Sequence, residues 1–241
     1  MKKRPIVEWV YVILEAGLFL ALLTFQCFSI VEGYSIYNYG GPYSPYISAF
    51  QVALTAVTFL FGTYVFFYQK GAPKTRHDLF FLYFLFILIA DFFFSFSHYP
   101  IGGHIGFLCA YVVFFFIRKG KWYEGLIALG GGLVALLIFA FLRKLTPAIG
   151  VDCFLGAILL LNMIMMWVRF GKEKRKDLLL VCIALSLLLI SDGSIALRTF
   201  ITSYPANHII AMITWPTYVA ADILLAFWYL NRKKSALSKE E

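Results

Sequence analysis

Charge is scarce in this sequence: Asp, Glu, Lys and Arg make up 14% of its 241 residues, while hydrophobic residues make up 61%. That leaves too little polar surface to coat a soluble globule of this size. Cysteine is also sparse. Cys27, Cys109, Cys153 and Cys182 fall in or near apolar segments with no CxxC pair, which excludes a disulfide scaffold and reads as buried, unpaired thiols. No spacing of His, Cys, Asp or Glu suits a metal, so neither metal nor other cofactor is expected. A basic stripe is missing too. The formal charge of +8 is spread as short Lys/Arg clusters between apolar runs, which argues against a nucleic-acid partner and for topology signals.

What the chain does have is long apolar runs. A bilayer core about 30 Å thick needs roughly 20 apolar residues per helical span, and runs of that kind lie near residues 6–29, 46–68, 79–97, 105–117, 122–142, 147–170, 178–199 and 208–229. Eight spans with short connectors use nearly the whole length, so residues 1–241 read as a single transmembrane domain with no room for a soluble one. The expected fold is an all-α polytopic membrane protein, placed in the cell membrane. The opening MKKRP precedes an apolar stretch of about 24 residues, longer than a signal-peptide core and without a small-residue cleavage site, which reads as a retained first helix. Of the 21 Lys and Arg, 18 fall in the loops on the side of the termini, and Arg143, Lys144 and Arg198 fall on the other. The positive-inside rule then puts both termini in the cytoplasm.

The halves echo one another weakly. Leu88-Ile89-Ala90-Asp91 in the third span returns as Leu189-Ile190-Ser191-Asp192 in the seventh, and Ala110-Tyr111 and Ala221-Asp222 occupy corresponding places in the fourth and eighth. Two parallel four-helix repeats would explain this, as would chance likeness between apolar helices.

Acids inside apolar helices are the candidate functional groups, because a charge in hydrocarbon is costly and normally faces a bundle interior or a wet cavity. Glu15, Asp91, Asp192 and Asp222 qualify. At about 1.5 Å per residue, Asp91 and Asp192 lie roughly 18 and 21 Å from the cytoplasmic starts of their helices, so the two can face one another at one level. Asp222 runs the other way and sits nearer the cytoplasm. Two carboxylates sharing a cavity titrate apart and furnish an acid and a base; alternatively each merely satisfies a backbone donor or a buried Tyr, Ser or Asn. His98 and His104 flank the turn at residues 99–103, as phosphate or metal ligands or as solvated loop histidines. Arg198 either meets a lipid phosphate or snorkels. The eight Phe of residues 80–96 read as lipid-facing bulk, and Gly130, Gly131 and Gly132 as a site of close helix contact.

Several segments together resemble the YhhN-like lysoplasmalogenase family of eight-span membrane proteins. Ala90-Asp91-Phe92-Phe93 is similar to the family's Gly-Asp segment in span 3, and Phe107-Leu108-Cys109-Ala110 to its Phe-Leu-x-Ala segment in span 4. Leu188-Leu189-Ile190-Ser191-Asp192, followed by Ala196-Leu197 and Phe200, resembles the Ser-Asp signature of span 7, and Tyr218-Val219-Ala220-Ala221 the Tyr-x-x-Ala segment of span 8. The likeness covers residues 79–230 and is poor over the first two spans. Where the family has His after the span 4 Ala and Gln after the span 8 Ala, this chain has Tyr111 and Asp222, and a Lys-Pro pair near span 2 is missing.

The resemblance implies hydrolysis of the vinyl ether of a lysophospholipid, with the bilayer as the protein's setting. Asp91 and Asp192 would then be the catalytic acid and base in either order, and Tyr111, Tyr218, Asp222 and Arg198 would contact substrate. A reading from another class uses the same carboxylates in a small transporter or a lipid-binding protein. A hydrolase requires a cavity that admits a long chain sideways from lipid and has its polar end at the two Asp. A transporter requires water access that alternates between the faces.

Overall fold

The first helix of the computed structural model, α1 (Ile6–Val31), is inside out by the standards of a soluble protein. Its buried positions are Glu8, Tyr11, Glu15, Leu22, Gln26 and Ser29, at spacings of three, four and seven that mark one face. Ile6, Trp9, Ile13, Leu14, Leu20 and Phe28 are exposed. Water would drive the opposite arrangement. In lipid, apolar burial brings no gain, so polar side chains turn inward to find partners and the greasy face stays out.

The structure describes residues 6–32, 42–67, 76–97, 99, 101–198 and 204–237. All regular elements among them are helical: α1, α2 (Ser44–Phe67), a short 3-10 turn (Arg76–Leu79), α3 (Phe80–Phe96), α4 (Ile101–Ile117), α5 (Trp122–Phe141), α6 (Pro147–Glu173), α7 (Lys176–Arg198) and α8 (Tyr204–Leu237). Six of them, α1, α2 and α5 to α8, are long and apolar enough to cross a membrane, and α3 and α4 are shorter apolar helices of 17 residues each. These helices identify an integral, multi-pass membrane protein. Its packing runs α2, α3, α4, α6, α7, α8 and back to α2; α1 lies against α2 and α8, and α5 lies against α6.

Small residues and local hydrogen bonds set this course. Gly132 of α5 faces Phe154 of α6 so closely that a Cβ there would stand 2.4 Å from the ring, whereas Gly130 has open space around it. α4 and α5 end alike. The N–H of Gly120 reaches the carbonyl of Phe115 and that of Lys119 reaches Phe116, with Lys119 left-handed at φ 63°; Lys144, Phe139, Arg143 and Ala140 repeat the pattern at φ 53°. α6 opens with Thr146, whose hydroxyl accepts the N–H of Ile149, ahead of Pro147.

Two boundaries differ from those expected. The turn assigned to residues 99–103 is helical from Ile101, because Gly102 and Gly103 pack under the rings of Phe93 and Phe94, and so His104 stands on a helix and not in a loop. α8 continues beyond Tyr229 because its cations are paired: Lys233 with Asp78, Lys234 with Glu8 and Arg232 with Asp177. The phenylalanines of α3 are divided, with Phe80 and Phe84 buried and Phe92 and Phe96 exposed. Cys27 is exposed, whereas Cys153 and Cys182 are buried, and the four thiols are unpaired.

Candidate functional site

α3 and α7 each bring one carboxylate to the interior, Asp91 about 17 Å and Asp192 about 24 Å from the first residue of its helix at 1.5 Å per residue. Asp91 and Asp192 line one cavity of about 960 Å³, at the upper end of the range in which small-molecule sites fall. Each acid is held by a phenol from a helix of the other half. The Tyr218 hydroxyl of α8 donates to Asp91 Oδ2 at 2.8 Å, and the Tyr111 hydroxyl of α4 donates to Asp192 Oδ2 at 2.7 Å.

The cavity has two chemically distinct parts. Around the acids stand Gln51, Ser95, His104, Asp152, Ser191 and Thr214. Away from them it runs between α5 and α6 along Ile127, Ala128, Gly131, Ala135, Ala157 and Leu160. Ile127 is 61% exposed and Leu160 42%. The apolar arm therefore reaches the outer surface of the bundle on its flank, between small residues that leave room for a chain.

Tyr111 is itself braced. Asn162 Nδ2 donates to the Tyr111 carbonyl at 3.0 Å, Arg118 Nε donates to Asn162 Oδ1 at 2.6 Å, and Arg118 Nη1 donates to Glu124 Oε2 at 2.5 Å. A buried chain of polar groups thus links the Arg118–Glu124 pair, both side chains about 95% out of solvent, to the backbone beneath Asp192. Sequence reading missed all three residues. Asn162 had a visible signal, being a lone amide in Leu159-Leu160-Leu161-Asn162-Met163-Ile164; the other two sit near a helix end and look like loop charges. Asp152 was missed for the same reason. Its carboxylate is bonded to His104 Nδ1 at 2.5 Å, and the imidazole lies edge-on to Phe94.

The remaining candidates separate from the pair. Tyr218 lines the cavity; Tyr111 acts from behind Asp192 and does not. Asp222 lies one turn beyond Tyr218, 3% exposed and outside the lining, and its Oδ1 has no partner among the described residues. Glu15 accepts from Thr58 at 2.7 Å, with Tyr11 next to that threonine, forming a second buried polar cluster outside the cavity lining. The side chain of Arg198 and the whole of His98 lie outside the described residues.

No curated protein and no solved structure matches this chain. The YhhN family model does match it, over residues 45–228, a segment that contains Asp91, Asp192, both tyrosines and every residue of the cavity lining except Ser44. The chain belongs to the YhhN family.

Proposed function

We propose that this protein is a lipid hydrolase of the lysoplasmalogenase type, cleaving the vinyl ether of a lysophospholipid within the membrane. The observation that carries the reading is the two-part cavity: a pair of tyrosine-bonded carboxylates at its polar end, joined to an apolar arm that reaches the flank of the bundle. Family membership points the same way.

The chemistry suits two carboxyl groups and needs nothing else from the chain. One, in its acid form, gives a proton to the alkenyl β-carbon, and the electron pair of the double bond forms the new C–H bond. The oxocarbenium ion left behind is stabilised by the second carboxylate, which also takes a proton from the attacking water. The resulting hemiacetal passes its hydroxyl proton to the departing glycerol oxygen and breaks into an aldehyde and a glycerophospho-alcohol. Asp91 and Asp192 fill these roles in either order. A chain lying in the arm between α5 and α6 presents its first carbons to both.

The proposal includes eight crossings with both termini cytoplasmic, a reading that the distribution of Lys and Arg supports. It also includes two parallel repeats, which the crossed bonding supports: α3 to α8 through Asp91 and Tyr218, and α7 to α4 through Asp192 and Tyr111.

The test is aldehyde release by detergent-purified protein from lysoplasmenyl-ethanolamine and lysoplasmenyl-choline beside acyl-lysolipid controls. Release confined to the vinyl ethers, and reduced about 10²- to 10⁴-fold in Asp91→Asn and in Asp192→Asn, is expected; an active double variant rules the mechanism out. A proton- or cation-carrying protein is the second reading, favoured by Glu15 and Asp222, two buried acids outside the cavity. It calls for ion flux into proteoliposomes that Asp222→Asn abolishes.

A further inference from the structure

His104 and Asp152 form an ionisable pair in the cavity that this mechanism leaves unused. They come from the first two turns of α4 and α6, which start at the same end of the bundle, and both line the cavity on the side away from the helix ends bearing Glu8 and Lys234. Asp152 takes Nδ1 of the ring, and the edge-on contact with Phe94 fixes the ring plane, so the far nitrogen, Nε2, is the one a ligand would meet. Gly103 secures this position. A Cβ there would stand 2.5 Å from the Phe94 ring, so the close approach of α4 to α3 that seats His104 requires glycine.

Position along the helix indicates what the ligand is. His104, Phe107 and Tyr111 share one face of α4, and seven residues put His104 about 10 Å from Tyr111 along the axis. A helical tyrosine leans back towards the helix start, which brings the Asp192 carboxyl that it holds towards His104. His104 and Asp192 line the same cavity. In a lysophospholipid the phosphodiester is separated from the sn-1 linkage by a glycerol backbone, so a chain seated in the α5–α6 arm with its ether at Asp91 and Asp192 carries its phosphate to His104.

We propose that His104, oriented by Asp152, binds the phosphodiester of the lysolipid head group. The inference rests on the hydrolase reading for the direction in which the substrate lies. With Nδ1–H donated to Asp152, an imidazolium has one N–H left, and a phosphate oxygen accepts it as a charge-assisted hydrogen bond. Asp152 is a positioning residue: alone it would repel the anion, and paired it holds the ring. Hydroxyls of Ser44, Ser48 and Thr146 on the same rim offer further donors.

Binding separates this proposal from catalysis. Acyl-lysophosphatidylethanolamine has the phosphodiester but no vinyl ether, and monoacylglycerol has neither. Their dissociation constants are measured for the purified wild type, His104→Gln and Asp152→Asn, beside the aldehyde assay. The expected result is that the preference for the phosphate-bearing ligand falls about tenfold or more in His104→Gln and falls in the same direction in Asp152→Asn. Because the readout is a ratio of two ligands on one protein sample, a loss of folded protein cancels, and Asp152→Asn leaves the imidazole in place should His104→Gln not fold. An unchanged ratio in the variants, or a wild type that prefers neither ligand, overturns the proposal. Phosphate-selective binding without aldehyde release from any vinyl ether would instead sink the hydrolase reading and leave the phosphate site standing.

Discussion

Tyr218 and Tyr111 each donate one hydrogen bond to a candidate catalytic acid, and this makes them sensitive positions. Replacing either with Phe removes a bond to a charged or chargeable group, worth about 1.5–3 kcal/mol. Tyr218→Phe and Tyr111→Phe are each expected to lower kcat about tenfold or more without changing the oligomer peak in size exclusion, as measured by aldehyde release. The Arg118–Glu124 pair answers to stability instead. Arg118→Leu leaves Glu124 buried without its cation and is expected to cost about 3–5 kcal/mol, seen as a lowered Tm in detergent. The double replacement with Glu124→Leu costs less than the single one, since no charge is then left behind. Neither effect is legible at the level of single residues in the sequence. Asp91 and Asp192 stand out there as acids inside long apolar runs, whereas Arg118, Glu124 and Asp152 look like ordinary helix-end charges until packing buries the first two and sets Asp152 against His104.

At the scale of elements, α5 is the wall of the apolar arm and little else. It buries Glu124, Ala128 and Gly132, four residues apart, with Glu124 against Arg118 and Gly132 against Phe154 of α6, and exposes large hydrophobics over the rest of its surface. Gly132→Ala puts a methyl group into Phe154 and is expected to cost about 1–3 kcal/mol through overpacking, again read from Tm. Gly131 is different: it lines the cavity, and its nearest neighbour across the gap is the Ala157 methyl, 3.7 Å from where a Cβ would stand. Gly131→Phe fills the arm without that clash, so the ratio of kcat/KM between long and short alkenyl chains is expected to drop about tenfold. An unchanged chain-length profile would move the chain to another part of the cavity. Helix existence was legible throughout from apolar run length. The starts and ends were less so, because the chain continues as a helix wherever its charges find partners, as Lys233 and Lys234 do in α8.

For the whole molecule, reporter fusions at Lys172 and Tyr204 are expected to report opposite sides of the membrane, with Lys172 on the cytoplasmic one; the same side for both would overturn the eight-crossing topology. What the sequence determined by itself is the class of protein, the rough number and place of its helices, and the acids that do not belong in lipid. These follow from transfer free energies of single side chains and runs, which are local quantities. Tertiary structure decided how these acids are used. It put Asp91 and Asp192 on one cavity and Asp222 off it, crossed each acid with a tyrosine more than 80 residues away, and joined His104 to an acid on another helix. Such pairings depend on which helices become neighbours. In a membrane, where burial of apolar surface is no guide, that choice rests on the fit of small residues such as Gly103 and Gly132 and on the pairing of buried polar groups, both properties of two segments together.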